Sequence, residues 1–167
     1  MKGFFKSTTR WFSKGYAEKK NKSGIDINRT NQTILIVDDS RTQIYSTKKI
    51  LNDYGFSVIT AEDGKAGIIK ARDIKPDLIL MDIVMPVING FQATRYLKKH
   101  PETSQIPIII VSSSTQESDK AWGLKLGACD FVTKPTEAGL LIAKIIRHLD
   151  ARPQYSSSDM LASQKAS

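Results

Sequence analysis

The stretch ILIVDDS, residues 34–40, decides the architecture. Four apolar residues in a row, Ile34 to Val37, read as a strand buried on both faces, which is the pattern of a parallel sheet covered by helices. The run ends in two carboxylates, Asp38 and Asp39, where such a strand leaves the core. Residues 78–86, LILMDIVMP, repeat the arrangement, with Leu78 to Met81 apolar and Asp82 next. A third apolar run ends at Ser112, and Lys134 stands just before Pro135. In an open parallel sheet the carboxyl ends of the strands border one crevice, and ligands bind there. Three carboxylates, a hydroxyl and an ammonium in one crevice suit a divalent cation and a phosphoryl group.

Between these strands the chain alternates apolar runs with amphipathic segments, the pattern of βα units. A helix from Ser40 to Tyr54 is expected to stop at Gly55. A second strand, Ser57 to Ala61, leads through Asp63-Gly64 into a helix carrying Ile68, Ile69 and Ala71, which Pro76 closes. Met85-Pro86 and Asn89-Gly90 mark the Val84 to Gly90 segment as a loop before a helix over Phe91 to Lys99. Ile106 to Val111 reads as a central strand with Pro107 near its start, and Glu117 to Leu126 as a helix ended by Gly127. Cys129 to Thr133 is the last strand. Glu137 to Leu149 is the last helix, with Leu140, Leu141, Ala143, Ile145 and Ile146 as its predicted buried stripe. Five βα units account for residues 31 to 150.

Length and composition bound the rest. At 167 residues the chain suits one domain with tails. Its one cysteine, Cys129, forms no internal disulfide, which fits a reducing compartment and a cytoplasmic protein. No apolar stretch approaches the roughly 20 residues of a membrane span, and the basic start lacks a signal peptide's apolar segment. The net charge of +8 is unevenly placed: residues 1 to 30 hold 8 Lys/Arg against Glu18 and Asp26, whereas residues 31 to 150 hold 15 against 14. The basic character belongs to an appendage, and no basic stripe in the central domain marks a nucleic acid partner.

The chemistry of the residues assigns unequal roles. Mg²⁺ prefers oxygen ligands and is held by one or two carboxylates plus phosphate oxygens. Asp38 and Asp39 facing Asp82 satisfy that demand, although an Asp-Asp-Ser sequence also caps helices, and Ser40 or Asp39 is available for that. Asp82 is the residue expected to be modified, because a carboxylate can attack phosphorus and become an aspartyl phosphate while a neighbouring cation neutralises charge. Lys134-Pro135 is a candidate cis peptide that would direct the ammonium into the crevice, to pair with Asp82 at rest and with a phosphoryl oxygen afterwards. Ser112 offers a hydroxyl to the phosphoryl group, while Ser113 and Ser114 read as loop residues. Phe131 reads on spacing as core, with a rotamer-switching aromatic as the alternative.

Taken together, ILIVDDS at 34–40, LILMDIVMP at 78–86, NG at 89–90, IIIVS at 108–112 and FVTKP at 131–135 resemble the receiver domain of two-component response regulators over residues 33 to 150. The spacing agrees, with Ser112 thirty positions after Asp82 and Lys134 twenty-two after Ser112. The resemblance implies an α/β, flavodoxin-like doubly wound (βα)5 fold with a five-stranded parallel sheet. It implies that Asp82 is the phosphoacceptor, that Asp39 binds Mg²⁺ with help from Asp38, and that the carbonyl of Val84 is a further ligand. It makes Ser112 the switch hydroxyl, Phe131 the switch aromatic and Lys134 the phosphate partner. Ser at 112 replaces the commoner Thr, and Ser113 stands where Ala is usual. Residues 81–99 and 118–135 further resemble single-domain regulators of type IV pilus twitching motility. The expected donor is a chemosensory sensor histidine kinase and the expected target a motility or pilus protein. The signal is expected to leave by protein contact, or to end as phosphate drained from the kinase or as phosphorylation-independent adaptor binding. The chain would be a phosphoacceptor and not an enzyme: a haloacid-dehalogenase-like hydrolase would need a second Asp where Val84 stands, and a flavodoxin would need a phosphate loop where Asp38-Asp39-Ser40 repel phosphate.

Two flanks remain. On helical spacing Phe4, Phe5, Trp11, Phe12 and Tyr16 share one arc, with Lys2, Lys6, Arg10 and Lys14 beside it. Residues 1–30 read either as a basic amphipathic helix, with residues 1–20 making peripheral membrane contact, or as a disordered start favoured by Gly3 and Gly15. The serine-rich segment 151–167 is expected to be disordered.

Overall fold

Five strands and five helices alternate along the chain in a computed structural model that describes residues 32–151. The expectations for the basic start and the serine-rich tail lie outside the described residues. In order, the elements are β1 (Thr33–Val37), α1 (Arg41–Asp53), β2 (Ser57–Ala61), α2 (Gly64–Ile74), β3 (Leu78–Met81), α3 (Gly90–Lys99), β4 (Ile108–Ser112), α4 (Glu117–Lys125), β5 (Asp130–Thr133) and α5 (Ala138–Asp150). All pairings are parallel and the sheet order is β2-β1-β3-β4-β5. The chain therefore winds one way from β1 to β2 and the other way from β3 onward, and the switch lies between β1 and β3.

Strand alternation distributes the apolar runs between two cores. Ile34, Ile36, Leu78 and Leu80 pack with Leu51 of α1 and with Leu141, Ile142, Ile145 and Leu149 of α5. Leu35, Val37, Ile79 and Met81 point the other way, onto Ala71 of α2 and Ala93 and Leu97 of α3. Each fully buried Leu or Ile contributes about 1.5–3 kcal/mol by leaving water, so β1 and β3, buried on both faces, hold the two layers together.

The helix boundaries follow their caps. Ser40 caps α1 by accepting from the Gln43 N–H, Asp63 caps α2 through Ala66, and Asn89 forms a reciprocal capping box with Gln92 at α3. Gly55 and Gly127 follow α1 and α4 with φ of 84° and 106°, conformations open to glycine.

Two expectations are corrected. β4 begins at Ile108 and not at Ile106: Pro107 has no N–H for the ladder, and its carbonyl instead accepts from Ile79 at 3.0 Å. The buried stripe of α5 is Leu141, Ile142, Ile145 and Leu149, while Leu140 is 52% exposed and Ala143 is also exposed. The helix is apolar through Leu140, Leu141 and Ile142, so periodicity left the rotation of its face open. Packing against β1, β3 and β5 sets it.

Asp130, at the start of β5, ties that edge strand to α5. It accepts from Lys144 Nζ at 2.7 Å and lies 3.1 Å from His148 Nε2. Burial alone would raise its pKa, but the bonds from Lys144 and His148 and from the Phe131 N–H outweigh it and hold the carboxyl below its ordinary value.

Truncating Ile142 to Ala should cost about 3 kcal/mol in urea unfolding, whereas Leu140→Ala should stay within about 0.5 kcal/mol. Because Asp130 binds its proton more weakly folded than unfolded, its stabilisation is complete above the unfolded value of about 4 and is lost as the pH falls through the lower folded one. Asp130→Asn should therefore be less stable than wild type at neutral pH, with the gap closing in acid unfolding below about pH 4.

Candidate functional site

Register builds the site. Val37 pairs with Met81 across β1 and β3, so the next residues, Asp38 and Asp82, emerge side by side where the sheet ends. The ladder continues one step beyond the strands: the Asp82 N–H donates to the Val37 carbonyl at 2.8 Å, and the Asp38 N–H donates to Ala61 at 3.1 Å. Both backbones are thus fixed although both side chains are ionisable. Asp38 and Asp82 are 5% and 7% exposed, while Asp39 opens to solvent. One carboxylate oxygen from each of the three lies within 4.8 Å of the others.

Lys134 offsets this concentration of negative charge. Its ammonium donates to Asp38 Oδ2 at 2.6 Å and to Asp82 Oδ1 at 2.9 Å. The other oxygen of Asp38 accepts from the Ser40 N–H at 2.9 Å, so Asp38 is held from both sides. The Lys134 backbone is placed by its own N–H, which donates to the Ser112 carbonyl at 2.8 Å, and the Lys134-Pro135 peptide is cis. The pairing with Asp82 foreseen for Lys134 is present, and the bond to Asp38 is additional.

The electrostatics follow from burial and from these contacts. Burial raises the pKa of Asp82, the neighbouring charges of Asp38 and Asp39 push in the same direction, and the bond and charge of Lys134 offset this only in part. For Lys134, burial favours loss of its proton, yet the bonds to Asp38 and Asp82 prevail and its pKa lies above the ordinary lysine value. The result is a charged lysine held against a carboxylate that is costly to keep ionised.

A cavity of about 270 Å³ opens over these groups. Asp38, Asp39, Asp82, Val84 and Lys134 line it together. Ser40, Gln43 and Ser113 complete its wall, three residues that the sequence reading did not place in the site. The signal for Gln43 is its position in the first turn of a helix that starts at the crevice. Ser112 is not in this wall. It is wholly buried at the end of β4, and its hydroxyl accepts from the Ser114 N–H at 3.2 Å. Phe131 is buried with Ile83, Ile110, Ala128 and Phe91, close to the spacing-based expectation of core. The loop after β3 is tightly held: the Gly90 N–H donates to Ile83 at 3.0 Å, and a Cβ at Gly90 would collide with the Asp82 carbonyl. Val87 in this loop adopts φ 66°, an uncommon conformation for a β-branched residue.

The arrangement matches known proteins. A model of the response regulator receiver domain family matches residues 34–146. Protein PilH of Pseudomonas aeruginosa is 53% identical over 112 residues, covering 67% of this chain and 93% of that protein. The receiver domain of a signal transduction histidine kinase from Syntrophus aciditrophicus superposes with a TM-score of 0.69 at 32% identity, over 75% of this chain and 96% of that one. The receiver domain of sensor histidine kinase PA1611 from Pseudomonas aeruginosa, described with a magnesium ion coordinated in its active site cleft, gives 0.68 at 28% identity, over 72% and 98%.

Removing the ammonium leaves two buried carboxylates facing each other. Lys134→Met should lower stability by about 3 kcal/mol in urea unfolding with EDTA present, and adding Asp82→Asn to it should restore part of the loss. Independent, additive effects of the two substitutions would show that the ion pair does not couple the strand ends.

Proposed function

The chain belongs to the response regulator receiver domain family, and from that premise we propose that it accepts a phosphoryl group on Asp82 from the phosphohistidine of a chemosensory sensor histidine kinase. The observation that carries the proposal is the placement of buried Asp82 at a strand end, with Asp38, Asp39 and the Lys134 ammonium around it. In this reading a carboxylate oxygen of Asp82 attacks phosphorus, the N–P bond breaks, and its electron pair leaves on the imidazole nitrogen, which takes up a proton. Lys134 then turns from the Asp82 carboxylate to a phosphoryl oxygen. Positioning and charge neutralisation account for most such chemistry.

The donor set fits a hard cation: three carboxylates, all oxygen donors, close enough to share one ion. We assign Mg²⁺ to Asp38, Asp39, Asp82 and the Val84 carbonyl, where it would neutralise charge between nucleophile and donor. Asp39, the exposed member, is the one most free to accept it.

The output follows from Ser112 and Phe131. A phosphoryl group would compete for the Ser112 hydroxyl now bonded to Ser114, and Phe131 would turn into the space vacated, changing the surface of α4, β5 and α5. The resemblance of residues 81–99 and 118–135 to twitching-motility regulators, together with the likeness to PilH, supports a role in type IV pilus motility, with a motility or pilus protein as target.

Acetyl phosphate and divalent cation test the centre of this reading. Wild type should be labelled on one aspartate in the presence of Mg²⁺ and not in EDTA, and Asp82→Asn should lose the label; equal labelling of both proteins sinks the assignment. Asp39→Asn should weaken Mg²⁺ binding by calorimetry at least about tenfold. Unchanged pilus phenotypes in a strain carrying Asp82→Asn would point to phosphorylation-independent adaptor binding.

A further inference from the structure

We propose that Ser114 is a positioning residue that ties the hydroxyl of Ser112 to the first turn of α4 and releases that turn when Asp82 is phosphorylated. Three hydrogen bonds make the tie. The Ser114 N–H donates to the Ser112 Oγ at 3.2 Å, the Ser114 hydroxyl donates to Asp119 Oδ2, and the same hydroxyl accepts from the Gln116 N–H at 3.3 Å. Ser114 therefore grips the end of β4 with its backbone and the start of α4 with its side chain. It also stands in for a missing cap: Gln116, at the N-cap of α4, makes no side-chain capping bond, whereas Ser40, Asp63 and Asn89 cap α1, α2 and α3.

α4 depends on such a tie because little else holds it. Its one buried residue is Gly123, so among the described helices it alone buries no side chain, and Trp122 and Leu124 are 47% and 43% exposed. Gly123 lies against Ile110: a Cβ there would stand 2.5 Å from the Ile110 Cδ1. Ile110 belongs to the cluster of Phe131 and lies two residues before Ser112 on the same strand, so both supports of α4 come from β4. Ser112 sits behind the crevice wall, and its hydroxyl must move toward the crevice to reach a phosphoryl oxygen on Asp82. The bonded Ser114 amide follows it, the Ser114 hydroxyl is drawn away from Asp119, and α4 loses the bond that fixes its first turn. Linkage requires the converse: opening the tie beforehand removes a cost of phosphorylation and favours the phosphorylated state. The inference rests on the phosphotransfer reading and names how that site is coupled to α4.

The test uses the full chain with Trp11→Phe, which leaves Trp122, on α4, as its one tryptophan. In this background Mg²⁺ and acetyl phosphate should change Trp122 emission as Asp82 is labelled. Ser114→Ala and Asp119→Ala should each shift the resting emission toward the phosphorylated value, speed amide exchange over residues 117–121 about tenfold, and raise the labelled fraction at limiting acetyl phosphate several-fold. The double substitution should do no more than either single one, and Ser114→Thr, which keeps the hydroxyl, should behave as wild type. Faster exchange without a rise in the labelled fraction would reduce the bond to helix stability and overturn the coupling, as would additive effects of the two substitutions. A wild type that takes no label sinks the phosphotransfer reading and the coupling with it; a labelled wild type that matches Ser114→Ala in all three measurements overturns the coupling alone.

Discussion

The pairing of Val37 with Met81 is the constraint on which the rest depends. A strand buried on both faces has no freedom to slip, because a shift of one residue would send every side chain to the wrong core. Ile34, Ile36, Leu78 and Leu80 are committed to the α1 and α5 layer, and their neighbours to α2 and α3. The register so fixed brings two carboxylates to one place where their charges repel. Apolar packing thus imposes an electrostatic cost, and Lys134, delivered from the end of β5, offsets it through bonds to both Asp38 and Asp82. Three strand ends are tied at one ammonium.

A site held together in this way is poised without being rigidly closed. Asp82 is disfavoured as an anion by burial and by its acidic neighbours, so both a cation and a phosphoryl group that engages Lys134 change its balance. The surroundings are prepared for such a change on one side only. The loop after β3 is locked by its contact at Gly90 and by the capping box at Asn89, whereas β4 leads to a serine hydroxyl bonded only locally, to Ser114. On the side of β4 and β5, Phe131 lies in a small separate cluster with Ile83, Ile110 and Ala128, which is the side the proposed switch would use.

Much of this was legible because the signals are local. An apolar run closed by Asp needs no partner to be recognised as a buried strand with a functional end, and Ser40 is readable as a cap of the helix that follows it, whereas the caps at Asp63 and Asn89 emerge only in the structure. The misreadings have one physical origin. For α5, three successive apolar residues leave the buried face undetermined, and the neighbouring strands chose Ile142 over Leu140. For β4, Pro107 could be placed near a strand start, but only the ladder with β3 shows that pairing begins after it. Ser113 and Gln43 carry no motif; they are in the crevice wall because the turn after β4 and the first turn of α1 converge there.

The sequence by itself determined the parallel α/β class, the order of the elements, and the identities of Asp38, Asp39, Asp82 and Lys134, because burial pattern and side-chain chemistry are written residue by residue. It also carried the contrast between a nearly neutral central domain and a basic, aromatic start. Only the tertiary structure decided that Lys134 bridges Asp38 as well as Asp82, that Ser112 sits behind the crevice wall while Ser113 lines it, and that α5 buries Ile142. Those outcomes depend on distances between segments far apart in the chain, and distance is set by register and packing, which no single stretch of residues contains.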